Sequence, residues 1–228
     1  MRFKTGKIYI NSLLNNIKEL PTERRITEIS RYFLGIPYKK NSLIGSLTEE
    51  EQLVIDFEGV DCMTFIEYVE ALRLSNDLNS FIENLKHVRY FDGAVDFKKR
   101  KHYFTDWNEL KTVKDVTAEI TEKFVTVVKE LSFIDGLEPK QRIVNYIAAD
   151  IIEKILFKLK TGDYCGFYTS RDCLDVTHTG IIIIDEGNVK LRHASSHKGC
   201  VIDEDFLKYA KQKEGIIIFR PEENATSS

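Results

Sequence analysis

Apolar side chains between residues 22 and 34 recur three and four positions apart, at Ile26, Ile29, Tyr32 and Phe33, just after Pro21. That spacing predicts an amphipathic helix over 22–34, stopped by Gly35. In the following GIPY segment, Pro37 restricts Ile36 to extended backbone. The apolar run at 53–57 predicts a short strand. Phe65, Ile66, Val69 and Leu72 return to helical spacing, which predicts a helix over 62–74 with one buried face. Asp61 stands where its N-cap belongs. A further helix is expected over 78–87. The middle, 89–139, is mixed: basic and aromatic residues around Lys98 to Trp107, then alternation toward Val127. A helix is expected over 149–160, leading into Gly162-Asp163. The last third turns β-rich, with THTGIIIID and NVKLRHAS flanking Asp185-Glu186-Gly187-Asn188, a good hairpin turn. A capped helix over 203–212 follows, and GIIIFRP closes the sheet. No repeat or flexible linker interrupts the chain, so one domain over 1–228 is expected. Helices in front and an antiparallel sheet behind make the fold class α+β.

Composition narrows the partners. Lys plus Arg number 33 against 36 Asp plus Glu, a net charge of -3 over 228 residues, so nothing favours a nucleic-acid binder, which needs clustered excess cations. With 12 Gly and 4 Pro, collagen-like and low-complexity classes are excluded. No stretch approaches the roughly 18 uninterrupted apolar residues of a membrane span. The first residues carry Lys and Arg without an apolar h-region. The expected location is therefore cytoplasmic, or the cell envelope, periplasm or exterior if a leader was trimmed. Four cysteines, Cys62, Cys165, Cys173 and Cys200, form no CxxC pair, which argues against a structural zinc or thioredoxin-like site. Cys165 and Cys173 read as free thiols, with a bridge between them left open.

Cys62 is the candidate nucleophile, and filling the core beneath a helix start is the other reading of its position. Behind an Asp61 cap it occupies the first turn of a helix, where unpaired N–H groups and the helix dipole favour a thiolate and can receive an oxyanion. The neighbouring carboxylate opposes that, so a cationic partner is needed. Five histidines are available: His87, His102, His178, His193 and His197. With Glu186-Gly187 as a two-residue turn, Asp185 pairs with Asn188, Ile182 with Leu191, Gly180 with His193 and His178 with Ser195. His178 and His193 then project from one sheet face as diagonal neighbours, roughly 6–8 Å apart at Cβ. His197 falls on the same face beyond the strand's end. Two adjacent imidazoles suit a base and the group that orients it. Zinc is the competing use, with Asp175 and Asp185 bracketing the strand, but no HExxH is present. A serine hydrolase is weaker still, because no GxSxG elbow exists.

In order along the chain, GIPY, VDCMTF, GDYCGF, HTGIII and RHASS resemble the NlpC-like cysteine peptidases of bacterial cell walls. That resemblance implies a papain-like fold with a cysteine-bearing helix packed on an antiparallel sheet that bears the histidines. The longer strings FLGIPY, VDCMTFIEYVEAL, RKHYFTDW, LDVTHTGIIII and HASSHKG, over about 26–221, resemble the N-acetylmuramoyl-L-alanine amidase branch. The resemblance implies Cys62 as nucleophile, His178 as base and His193 as the orienting residue. It places Tyr38 near the nucleophile, where its hydroxyl helps bind the substrate or oxyanion, and Asp61 is counted among the substrate-binding residues. From their own chemistry, Arg100, with a bidentate fork, His102 and Tyr103, with a stacking face, are expected to contact sugar or peptide carboxylates; the other reading of the segment is a solvated basic turn over a buried Trp107. Lys101 stands where the family carries an asparagine. The implied reaction cuts the amide between N-acetylmuramic acid and L-alanine of a muropeptide, in a monomer with no cofactor or metal. Two alternatives stand beside it. One is an endopeptidase cutting between D-glutamate and the diamino acid. The other is a non-catalytic peptidoglycan-binding module.

Overall fold

The computed structural model describes residues 1–4 and 10–223. Two compact units divide the chain: Met1–Lys101 with His193–Ile202 and Glu222–Ser228, and His102–Arg192 with Asp203–Pro221.

The first unit is mainly helical. Strand β1 (Arg2–Lys4) precedes α1 (Ile10–Ile17), α2 (Thr22–Tyr32), β2 (Val54–Asp56), α3 (Cys62–Arg73) and α4 (Leu78–Arg89). β1 and β2 pair in parallel. α2 starts immediately after Pro21, whose φ of -63° is preset for a helix start, and the chain leaves it through Gly35 at φ +79°. Ile26, Ile29 and Phe33 from α2 and its end are buried with Phe57, Phe65, Tyr68 and Phe81, whose rings pack in edge-to-face, tilted and stacked pairs. Phe57 and Tyr68 lie 4.9 Å apart, and Phe33 and Phe65 5.5 Å.

α3 departs from the expected single buried face: every residue from Thr64 to Arg73 is buried. Its charged residues are tolerated because each finds a partner inside. Arg73 grips Glu70 through Nε (2.8 Å) and Nη2 (2.7 Å), while Arg89 of α4 donates to Glu67 (2.7 Å) and to the Val54 carbonyl (2.7 Å). α4 runs two residues past its expected end, and the buried Lys101 closes it by donating to the His87 (2.8 Å) and Tyr90 (2.7 Å) carbonyls.

The second unit is built on a sheet. Its elements are β3 (Val113–Asp115), α5 (Thr117–Ile120), β4 (Val125–Leu131), β5 (Lys140–Ala148), β6 (Tyr164–Tyr168), β7 (Val176–Asp185), β8 (Asn188–Ser195), β9 (Cys200–Asp205), α6 (Phe206–Ala210) and β10 (Gly215–Pro221). β8 belongs to this unit as far as Arg192, and β9 from Asp203 onward. The strand order is β4-β5-β10-β6-β7-β8-β9, with β3 also on β10. Thus β10 does not close the sheet at an edge but inserts between β5 and β6, pairing antiparallel with both. Its apolar run Ile216–Ile217–Ile218 is fully buried on both faces, which is what a central position requires. The β7–β8 hairpin has the expected register: Asp185 pairs with Asn188 and Ile182 with Leu191. Glu186 and Gly187, at φ +49° and +81°, form the turn between them.

One sheet face, with Cys165, Phe167, Ile182, Leu191, Ile216 and Ile218, packs against Phe206 and Ala210 of α6 and against Ile152 and Ile155. The other carries Tyr164 and Phe219 against Phe104 and Trp107, with Trp107 and Tyr164 at 5.1 Å and Phe104 and Phe219 at 5.0 Å. Gly166 admits the Phe104 ring, since a Cβ there would lie 2.4 Å from it. Two expected helices are shorter or of another kind. In place of an α-helix over 149–160 stands a 3₁₀ segment, Ile152–Lys158, whose buried Ile152 and Ile155 follow that three-residue period. Residues 203–205 extend β9, and only α6 is helical, with Asp205 as N-cap accepting from Lys208 N at 2.6 Å.

Candidate active site

Cys62 is the first residue of α3 and is partly exposed. Asp61 precedes it in extended backbone and closes a capping box: its Oδ1 accepts from Thr64 N (2.8 Å) and from the Thr64 hydroxyl (2.8 Å), while its own N–H donates to Thr64 Oγ1 (2.9 Å). The Phe65 N–H reaches the Asp61 carbonyl at 3.0 Å. The cap fixes the start of the helix, so the sulfur sits at the positive end of the dipole. It also gives the adjacent carboxylate two donors of its own.

Tyr38 is set beside this helix start by backbone pairing. The Lys39 N–H donates to the Val60 carbonyl at 2.9 Å, and Tyr38 forms a parallel bridge with Val60. Burial first, then the charges of Cys62 and Asp61, push the Tyr38 phenol above its ordinary 10, so it keeps its proton and can donate. His193 belongs to the same unit, on β8, and is 1% exposed.

Arg100 also lies in this unit, but its guanidinium is engaged. Nε donates to Glu51 Oε1 (3.0 Å), Nη2 to Glu51 Oε2 and to the Ile44 carbonyl (3.4 Å), and Tyr90 donates to the same Glu51 (2.7 Å). The Glu51 side chain is 2% exposed, which makes the pair an anchor for the 44–51 loop. Nothing local to RKHYFTDW announces it, because Glu51 is 49 positions away.

The remaining three expected residues lie in the second unit. His178, on β7, pairs with Phe167 of β6; their rings stack at 6.2 Å, and Tyr209 lies 5.9 Å from the imidazole. The side chain is half-buried at the margin of the apolar face. His102 is half-buried as well. Tyr103 is 5% exposed, and its hydroxyl accepts the Phe133 N–H at 2.9 Å. Its backbone N–H donates to Asp106 (3.2 Å), which in turn holds Arg142 (2.6 Å). Tyr103 therefore organises the FTDW turn over the buried Trp107.

The other cysteines offer poorer nucleophiles. Cys165 is fully buried, and burial followed by the Asp163 charge pushes its thiol well above the ordinary range. Cys173 and Cys200 are free thiols without a helix start behind them. Among the described residues no three His, Cys, Asp or Glu side chains gather as a metal site would need, and no helix is long and apolar enough to cross a membrane.

Similar solved structures cover most of the chain. A protein from Legionella pneumophila superposes with a TM-score of 0.82 at 23% identity, covering 94% of both chains. An N-acetylmuramoyl-L-alanine amidase from Bacteroides uniformis gives 0.76 at 25% identity, covering 88% of this chain and 99% of its own. A Bacteroides fragilis protein named as a candidate xylanase gives 0.71 at 29% identity, covering 84% and 98%. No curated protein matches. The α+β architecture is common to these neighbours, and residues 28–216 match the model of one family. The chain belongs to the N-acetylmuramoyl-L-alanine amidase-like family.

Proposed function

We propose that the protein is a cysteine-dependent amidase of the bacterial cell envelope that cuts muropeptides between N-acetylmuramic acid and L-alanine. The observation that carries this reading is Cys62 at the capped start of α3 with Tyr38 held beside that start by its bridge to Val60, in a chain of an amidase-like family. That family and its hydrolase neighbours favour a peptidoglycan-type substrate.

The Cys62 thiolate attacks the lactyl carbonyl, forming a C–S bond. The oxyanion is held by N–H groups of the first helical turn and by the Tyr38 hydroxyl. His178 gives its proton to the nitrogen of L-alanine as the C–N bond breaks and the peptide leaves. The muramoyl thioester is then attacked by water, whose proton passes to His178; the C–S bond breaks and the thiolate returns. His193 holds the imidazole and offsets its charge. These steps use no metal or cofactor.

Cys62→Ala should lower turnover by at least about a thousandfold while leaving the circular dichroism spectrum unchanged. Iodoacetamide should label one thiol quickly at neutral pH, and Cys62→Ala should remove that label. Full activity in Cys62→Ala ends the proposal. The endopeptidase reading keeps the same residues and moves the cut into the stem peptide, while the binding-module reading predicts no fast thiol.

A further inference from the structure

Beyond His193, the segment Ser196-His197-Lys198-Gly199 turns the chain back on itself. The turn is fixed by Gly199 N donating to the Ser195 carbonyl (2.8 Å), Lys198 N donating to Ser195 Oγ (3.2 Å), and Gly199 at φ +75°. It is then stitched to the segment that carries Tyr38. Tyr38 N donates to the Gly199 carbonyl (2.8 Å), Pro37 pairs with Cys200, and Gly35 N and Val201 N exchange hydrogen bonds with Val201 and Ile36 carbonyls at 2.9 Å. The opposite edge of the same segment pairs Tyr38 with Val60, two residues before Cys62. Three backbone strands thus lie side by side, with the turn on one flank, Tyr38 in the middle and the nucleophile's helix start on the other. At roughly 4.8 Å per strand spacing, the flanks are about 10 Å apart, the length of two or three residues of a bound peptide.

Exposed basic side chains gather on the turn and the Tyr38 segment. His197 and Lys198 on the turn and Lys40, two residues after Tyr38, are exposed. Among the described residues, none of the three side chains makes a hydrogen bond or ion pair. Lys39, by contrast, is held by Asp56 at 2.6 Å. Of the acidic residues on the Val60 flank, Asp56 is occupied by Lys39 and Asp61 by Thr64, while Glu58 is exposed. Two exposed lysines without an ion-pair partner, Lys40 and Lys198, with an exposed imidazole on the same turn, are suited to an anionic ligand.

We infer that the His197-Lys198 turn, with Lys40, is the subsite for the carboxylates of the acidic peptide that leaves after cleavage. This rests on the amidase reading for the identity of the peptide. Lysine suits the task as a compact, hydrated charge on a mobile stem, attracting carboxylates without fixing one geometry. The subsite therefore selects charge rather than sequence.

The test compares two synthetic muramoyl peptides, one with free carboxylates and one with them amidated. The native enzyme should favour the free acid by about tenfold in kcat/KM, a preference that shrinks with added salt. Lys198→Ala should cut it by about three- to fivefold, Lys198→Arg should restore it and Lys198→Glu should reverse it. A second readout needs no turnover: calorimetric binding of the free peptide L-Ala-γ-D-Glu-diamino acid, weakened by Lys198→Ala in proteins with identical melting curves. Binding that depends on Lys198, without cleavage of the muramoyl amide, would leave the subsite standing and overturn the reaction. Cleavage with preference and affinity indifferent to Lys198, His197 and Lys40 would overturn the subsite alone.

Discussion

Asp61 and Thr64 satisfy each other at the start of α3, and Cys62 inherits its position from that exchange. Asp61→Ala should cost about 1 kcal/mol in chemical denaturation, while Asp61→Asn, which can still accept the Thr64 N–H, should cost only a few tenths. A loss in Asp61→Asn as large as in Asp61→Ala would mean that charge, not capping, is what Asp61 supplies. Tyr38 makes a prediction in pH. Its phenol is held above the ordinary 10, chiefly by burial, so the neutral donor persists through neutral and mildly alkaline solution and is lost only above 10. Tyr38→Phe should therefore lower kcat by an order of magnitude or so at every pH from 6 to 10, without moving the alkaline limb of the profile. The place of Cys62 was legible in the sequence because a cap and the residue after it are neighbours. The anchoring of Arg100 by Glu51 and the acceptance of the Phe133 N–H by Tyr103 were not, because each partner lies tens of residues away.

At the scale of elements, the two helices α3 and α4 are joined by a buried ion pair. Arg89 is wholly buried against Glu67, where burial pushes the carboxyl up and the guanidinium pulls it down. Arg89→Met alone should cost about 3–5 kcal/mol, and adding Glu67→Leu should recover most of that loss. Equal instability of the single and double variants would show that the pair does more than neutralise itself. The start of α4 answers to acid. Asp77 sits below its ordinary 3.8 because the Ser80 N–H and hydroxyl bond its charged form. A depressed carboxylate stabilises the fold above 3.8 and loses that contribution as pH falls through its lower native value. Protection from amide exchange in the first turn of α4, relative to the intrinsic rate at each pH, should fall over that interval, and Asp77→Asn should abolish that loss. In the sheet, Gly166→Ala drives a methyl into the Phe104 ring and should cost about 1–3 kcal/mol, read as a lower Tm. The hairpin register was readable because a two-residue turn and a period of two fix it locally. The insertion of β10 between β5 and β6 was not, since pairing across a sheet leaves no local periodicity.

For the molecule as a whole, the family match over 28–216 and the shared α+β fold agree with the ordered motifs of the sequence. What the motifs carried was chemistry; what they omitted was the middle of the chain, where short 3₁₀ segments such as Phe97–Lys99 and Phe104–Glu109 have no amphipathic signature. One digest asks the central question directly. A defined disaccharide-peptide is incubated with native protein and with Cys62→Ala, and the products are weighed by mass spectrometry. A free disaccharide and an intact L-alanyl peptide from the native protein, with unchanged substrate from the variant, is the predicted outcome. A sugar still bearing its first two amino acids, or equal cleavage by Cys62→Ala, would contradict it.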